Sequence, residues 1–202
     1  LLQQAEMAMY EAKGRGRGSW CFFDSGMDAR LAESLRLEAA LRQAIARGEL
    51  QLHYQPIYDA RSGRLAKAEA LLRWHNPQLG WVSPARFIPL AEESALILEI
   101  GQWVLDEALR QLVQWRTENG AAPVVSINVS ARQFAQPGFE ERLWTGLRRH
   151  DLPPGSIELE LTETLLASQD DGVGALLQRL HVAGVGLSLD DFGTGYSSLS
   201  YL

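Results

Sequence analysis

Read with a period of two, the stretch Leu65–Trp74 separates into two unlike faces. Leu65, Lys67, Glu69, Leu71 and Arg73 fall on one, and Ala66, Ala68, Ala70, Leu72 and Trp74 on the other. The second face is small and apolar, suited to lie under helices. The first must meet a site, a cavity or water. On this stretch alone, an edge strand with its charges in solvent is an equal reading. Later segments repeat the arrangement: Asn128 is opposite in sense to Ile127 and Val129, and Glu160 to Leu159 and Leu161.

The same patterning predicts the elements along the chain. Residues 1–13 are helix formers without a cap, and the GRGRG run at 14–18 stops them. That run has no strand before it and no Lys-Ser/Thr pair after it, so it reads as a turn rather than a phosphate loop. Trp20–Phe23 follows as a short strand. Asp28 can cap a helix to about Arg47 with a stripe through Leu31, Leu35 and Ile45, ended by Gly48. Leu50–Tyr58 and Leu65–Arg73, joined by the turn DARSGR, read as an antiparallel hairpin. Ser83-Pro84 starts a helix. A longer one carries Ile97, Ile100, Val104, Ala108, Leu112 and Trp115 on one face and closes at Asn119-Gly120. Then come a strand at Val124–Val129, a helix from Gly138 to about His150, and a strand at Ile157–Thr162. A helix capped by Asp170 or Asp171 runs to Gly184, and a last strand, Val185–Leu189, opens into the loop Asp190–Ser200.

A hairpin followed by helix and strand three times is the order of parallel strands with crossover helices. A (β/α) barrel of eight such units needs about 250 residues. The segment from Leu50 holds about five strands, which leaves a small open sheet or a barrel lacking its C-terminal strands. The chain stops at Ser200-Tyr201-Leu202 without a capped helix or polar tail, which favours the barrel.

Composition narrows the class. At 202 residues, 46% hydrophobic and 22% charged, the chain fits a globular protein with one good domain and a piece of another. No apolar run approaches bilayer length, and the start is no signal peptide. Cys21, the single cysteine, excludes an internal disulfide framework and suits a reducing cytoplasm. A net charge of −6 argues against a nucleic acid polymer as partner, though not against a small phosphate ligand met by cations or arginines.

Polar residues gather at the C-terminal ends of the strands, where parallel α/β folds bind ligands. They are Glu69 and Arg73, then Asn128, then Glu160 and Thr162, then Asp190 and Asp191. Four carboxylates in one pocket raise one another's pKa and cost several kcal/mol each to desolvate. Two arrangements resolve this. One is an ion network with Lys67 and Arg73. The other is a pair of hard cations, Mg²⁺ or Mn²⁺, because the donors are oxygens without cysteine or paired histidine. Adjacent Asp190 and Asp191 could bridge two ions in the spacing used on phosphate esters. His53, His75, His150 and His181 lack ligand spacing and read as structural or surface residues. Trp74 and Trp81, beside the site strand, read as packing ahead of base stacking.

These residues also carry a resemblance. Gln55-Pro56-Ile57, the EALLRW run from Glu69, Asn128-Val129-Ser130, the ELTE run from Glu160 and the DDFGTGYSS run from Asp190 occur in the order and spacing of the EAL domain of cyclic di-GMP phosphodiesterases. The resemblance covers roughly residues 30–202. Residues 5–23 are similar to the last helix and strand of a GGDEF (diguanylate cyclase) domain, with Glu6 where that family usually has Asp. The implied organisation is a GGDEF remnant at 1–24, a linker helix at 25–48 and an EAL domain at 49–202, incomplete at its end.

The resemblance implies a TIM-like α/β barrel whose first strand is antiparallel. It implies two Mg²⁺ or Mn²⁺ ions on Glu69, Asn128, Glu160, Asp190 and Asp191, with Glu69 and the two aspartates central to catalysis. Gln55, Leu71 and Arg73 would contact the dinucleotide, Arg73 through a phosphate. Glu163 looks like the family's loop-anchoring glutamate. The implied reaction is hydrolysis of cyclic di-GMP to linear pGpG. The family's downstream lysine, some twenty residues past the aspartate pair, would fall beyond Leu202, so a protein of these residues alone is expected to be inactive. A silent cyclic di-GMP receptor is the alternative function, and a purely structural dimerisation domain a third. A homodimer, upstream GGDEF and sensor domains, and a cytoplasmic parent tethered to the inner membrane complete the expectations.

Overall fold

The polar and apolar rows predicted from the sequence become the two faces of one sheet. A computed structural model describes residues 4–6, 8–9, 20–24, 26–162 and 171–190, with nothing stated for the side chains of Asp171 and Asp190. The elements are α1 (Met27–Leu41), β1 (Leu50–Tyr58), β2 (Leu65–Asn76), β3 (Gly80–Val82), α2 (Pro84–Glu93), α3 (Leu96–Asn119), β4 (Val124–Val129), α4 (Ala131–Phe134), α5 (Phe139–Arg149), β5 (Ile157–Thr162), α6 (Asp171–Val182) and β6 (Gly186–Asp190). Strand order is β1-β2-β4-β5-β6, with β3 paired to β2.

The hairpin β1–β2 is antiparallel, with Gln55 opposite Glu69 and Leu50 opposite Trp74. Its turn is held by Asp59, whose Oδ1 accepts from the backbone N and hydroxyl of Ser62 at 2.7 Å each. The strands β2, β4, β5 and β6 run parallel. Because the side-chain period is two, their registers place Ala68, Ala70, Val125, Ile127, Leu159 and Leu161 on one face. Ala68 is buried, and the other five pack in a single core with Phe87 and Ala91 of α2, Ile100 and Leu109 of α3, Leu143 of α5 and Leu180 of α6.

Four expectations are corrected. Trp20–Phe23 form no regular strand. Helix α1 ends at Leu41 rather than near Arg47, and Gly26, not Asp28, stands at its N-cap. Residues 42–48 instead make successive turns into β1. Strand β2 runs on to Asn76 and folds back through β3, with His75 opposite Trp81. The sequence signal for this was weak, since β3 is only three residues long. The short helix α4 was also not foreseen; its capping box joins Ser130 and Gln133.

Glu49 explains why β2 is long. Its carboxylate, 6% exposed, accepts from Trp74 Nε1 at 3.0 Å and Asn76 Nδ2 at 2.9 Å. Asn76 Oδ1 in turn accepts from the backbone of Gln78 and Leu79 at 2.9 and 3.1 Å. A buried acceptor thus ties the end of β2 to the turn before β3. Among the described residues no helix is long and apolar enough to cross a membrane.

Candidate functional site

Residues paired in register share a side of the sheet, so the face away from the helices can be read off directly. Gln55 pairs with Glu69, Glu69 with Ser126, Asn128 with Glu160, and Glu160 with Ser188. Two and four residues on, Leu71 and Arg73 lie in the same row of β2 as Glu69. The structure therefore brings Gln55, Glu69, Leu71, Arg73, Asn128 and Glu160 to one face. Asp190 pairs by its backbone with Thr162, two residues beyond Glu160 on β5. The Asp190 side chain, Asp191 and Glu163 lie outside the described residues.

Direct contacts bind this row together. Asn128 Nδ2 donates to Glu69 Oε1 at 3.0 Å, joining strands that are far apart in sequence. Ser126 is fully buried, and its hydroxyl lies 2.5 Å from Glu160 Oε1 and 3.0 Å from Glu158 Oε1. Ser188 Oγ donates to Glu158 Oε1 at 3.0 Å. Lys67 Nζ forms an ion pair with Glu158 and stands 4.0 Å from Glu160 Oε1. Arg73 donates to the carbonyl of Leu72 at 2.9 Å.

The electrostatics follow from these neighbours. The hydrogen bond to Glu158 raises the pKa of Lys67 above its ordinary value, against the opposing pull of desolvation, with the charges of Glu158, Glu160 and Glu69 adding to the rise. Burial pushes Glu158 upward, but hydrogen bonds from Lys67, Ser126 and Ser188, with the Lys67 charge, outweigh it and leave the carboxyl lowered. Both groups are held in their charged forms.

The ion network and the cation site weighed from sequence therefore use different carboxylates in part. Lys67 takes Glu158 as its main partner, a residue that sequence reasoning passed over. Glu158 and Ser188 occupy the same alternating row as Glu160, so the period of two could have found them. Among the described residues no three acidic, histidine or cysteine side chains converge as a metal-holding group. The donors that are described nonetheless suit a hard divalent ion: carboxylate oxygens on Glu69 and Glu160, and the amide of Asn128, whose carbonyl oxygen is not spent on Glu69.

The tryptophans part company. Trp74 is fully buried and meets Phe87 edge-on at 5.6 Å between ring centres. Trp81 is 58% exposed and contacts the rings of His53 at 5.9 Å and His75 at 5.0 Å. His53 and His75 belong to the rows of Gln55 and Arg73, so this aromatic group sits beside the polar face.

Comparisons with known proteins agree with this layout. Residues 38–202 match the EAL domain family. The "Bifunctional diguanylate cyclase/cyclic di-GMP phosphodiesterase MucR" of Pseudomonas aeruginosa is 47% identical over 202 residues, 100% of this chain and 30% of that protein. The "Cyclic di-GMP phosphodiesterase PdeR" of Escherichia coli K12 is 40% identical, again over 100% of this chain and 30% of that protein. The solved structure titled "PaMucR Phosphodiesterase, c-di-GMP complex" superposes with a TM-score of 0.77 at 46% identity, covering 82% of this chain and 67% of that one. The chain thus spans about a third of the length of the curated relatives it matches. The described strands form an unclosed portion of the TIM-like α/β fold of these domains. By its match from residue 38 to its last residue, and by its identity with these relatives, the chain belongs to the EAL domain family.

Proposed function

We propose that this chain supplies the N-terminal strands and a large part of the site of a phosphodiesterase that hydrolyses cyclic di-GMP to linear pGpG. The carrying observation is the convergence of Glu69, Asn128, Glu160 and Arg73 on one face of the sheet, with Asn128 bonded to Glu69 at 3.0 Å. The printed names of the relatives, and the cyclic di-GMP complex among the similar structures, support the same substrate.

In this reading Glu69, Asn128, Glu160, Asp190 and Asp191 hold two divalent cations, Mg²⁺ or Mn²⁺. When bound, such ions neutralise phosphate charge and acidify a nearby water. Arg73, whose planar guanidinium suits a phosphate, orients the diester. Gln55 and Leu71 border the dinucleotide, and Glu163 anchors the loop from Asp190 to Ser198. Water attacks one phosphorus in line with the departing ribose oxygen, the P–O bond to that ribose breaks, and a linear dinucleotide leaves. Residues 1–24 are read as the end of a GGDEF domain.

The test is chromatography of cyclic di-GMP incubated with the full-length protein and Mn²⁺. The parent should yield pGpG. Glu69→Gln should lose more than about 100-fold in kcat/KM, beyond the usual cost of an outer-shell partner. Tight binding of cyclic di-GMP by the parent without any pGpG would identify a receptor and overturn the enzymatic reading.

A further inference from the structure

On the same face as the proposed ligands lies a further polar cluster that the proposed reaction does not use. Lys67, Ser126, Glu158 and Ser188 come from β2, β4, β5 and β6, and all meet at one carboxylate oxygen, Oε1 of Glu158. The cluster is partly shielded from solvent: side-chain exposure is 27% for Lys67, 20% for Glu158 and 12% for the neighbouring Glu160. Such a group is costly to bury, so its arrangement needs a reason.

The hydrogen-bond inventory supplies one. A serine hydroxyl carries one proton, yet Ser126 Oγ lies within bonding distance of both Glu158 and Glu160. Glu158 Oε1 already receives Lys67 and Ser188. The Ser126 proton is therefore directed mainly at Glu160, at 2.5 Å the shorter contact, and only secondarily at Glu158, at 3.0 Å. Lys67 faces a similar choice. Its ammonium stands 4.0 Å from Glu160 but in direct contact with Glu158. An ammonium bound to Glu160 would compete with a divalent ion for the same carboxylate.

We propose that Glu158 is a positioning residue for the cation site: by holding Lys67 and accepting from Ser188, it keeps the ammonium off Glu160 and leaves the Ser126 proton to fix the Glu160 carboxylate. The inference rests on Glu160 being a cation ligand, as proposed above. Its readout is cation affinity, which a residue that merely supported the fold would not move in the pattern expected here.

Mn²⁺ binding to the full-length protein is followed by electron paramagnetic resonance of the free ion, with circular dichroism and thermal unfolding alongside. Glu158→Gln frees Lys67 to pair with Glu160, so Mn²⁺ binding should weaken by about 10-fold, in the range seen for outer-shell partners. The double variant Lys67→Met/Glu158→Gln removes the ammonium as well, and most of that loss should be recovered. Parent-like binding by Glu158→Gln, or no recovery in the double variant, overturns the proposal. If Glu158→Gln does not fold, Lys67→Met alone decides: with the ammonium already held away from Glu160, its removal should leave Mn²⁺ binding equal to the parent's or tighter, and weaker binding overturns the proposal. Glu160→Gln separates the two levels. If it binds Mn²⁺ like the parent, the ligand assignment itself fails; if it loses Mn²⁺ while Glu158→Gln does not, only the positioning role fails.

Discussion

Tyr54, on the helix-covered side of β1, has a buried hydroxyl with no hydrogen-bond partner among the described residues, and its ring meets Trp115 edge-on at 4.8 Å. Burial pushes its pKa well above the ordinary tyrosine value of 10.0, Glu107 adds to the rise, and Arg110 opposes it. The folded state therefore keeps a proton that the unfolded state has lost above about pH 10. Stability is unaffected below that value and falls as pH climbs from it towards the folded pKa. Tyr54→Phe removes an unsatisfied hydroxyl and keeps the ring. It is expected to be neutral or stabilising by about 1 kcal/mol in urea unfolding at neutral pH, and to show a shallower loss at about pH 10.5. A clear destabilisation at neutral pH would reveal a partner for the hydroxyl.

Between elements, close approach at Gly101 of α3 links the helical layer to the strand carrying Asn128. A Cβ there would stand 1.6 Å from Gln133 Nε2 and 2.3 Å from its Cδ. Gln133 is 8% exposed and cannot simply swing into solvent. Its Oε1 accepts from the backbone N of Ser130 at 3.1 Å and its backbone N donates to Ser130 Oγ at 3.2 Å. Ser130 directly follows β4. Alanine in a helix interior ordinarily gains about 1 kcal/mol over glycine. Here overpacking, at about 1–3 kcal/mol, together with loss of the cap, should win. Gly101→Ala is expected to lower the urea midpoint, and Gly101→Ala/Gln133→Ala to recover part of the difference. An unchanged midpoint in the single variant would mean that Gln133 moves freely.

Across the whole molecule, the two sheet faces do different work, and β5, paired on both sides by β4 and β6, shows it. Ile157, Leu159 and Leu161 are at most 1% exposed and hold the helices, whereas Glu158 and Glu160 line the polar side. Leu159→Ala should cost about 2–5 kcal/mol in unfolding free energy through the cavity it leaves. On the function proposed above, the same variant of the full-length protein should leave the KM for cyclic di-GMP of its folded fraction unchanged, since no atom on the polar side is altered. A raised KM at full folding would show that the faces are coupled.

Much of this was legible in the chain because the governing rules are local. Alternation with a period of two separated Glu69, Asn128 and Glu160 from their apolar neighbours, and turn residues marked the β1–β2 hairpin and the helix–strand order after it. The run of spaced motifs indicated the family that the comparisons show. Other features depended on strand register, which couples residues distant in sequence. Lys67 and Glu158 are 91 positions apart, and only the pairing of β2 with β4 and β4 with β5 brings them into contact. Register also decided that Ser126 would face two carboxylates with one proton. Trp74 and Trp81 are the same residue type seven positions apart, yet a buried Glu49 carboxylate draws one inward by its indole N–H while the other stays in solvent. Sequence by itself determined which side chains share a strand face. Tertiary structure decided which of them meet, because hydrogen bonds and ion pairs act over a few ångströms that only the folded sheet brings about.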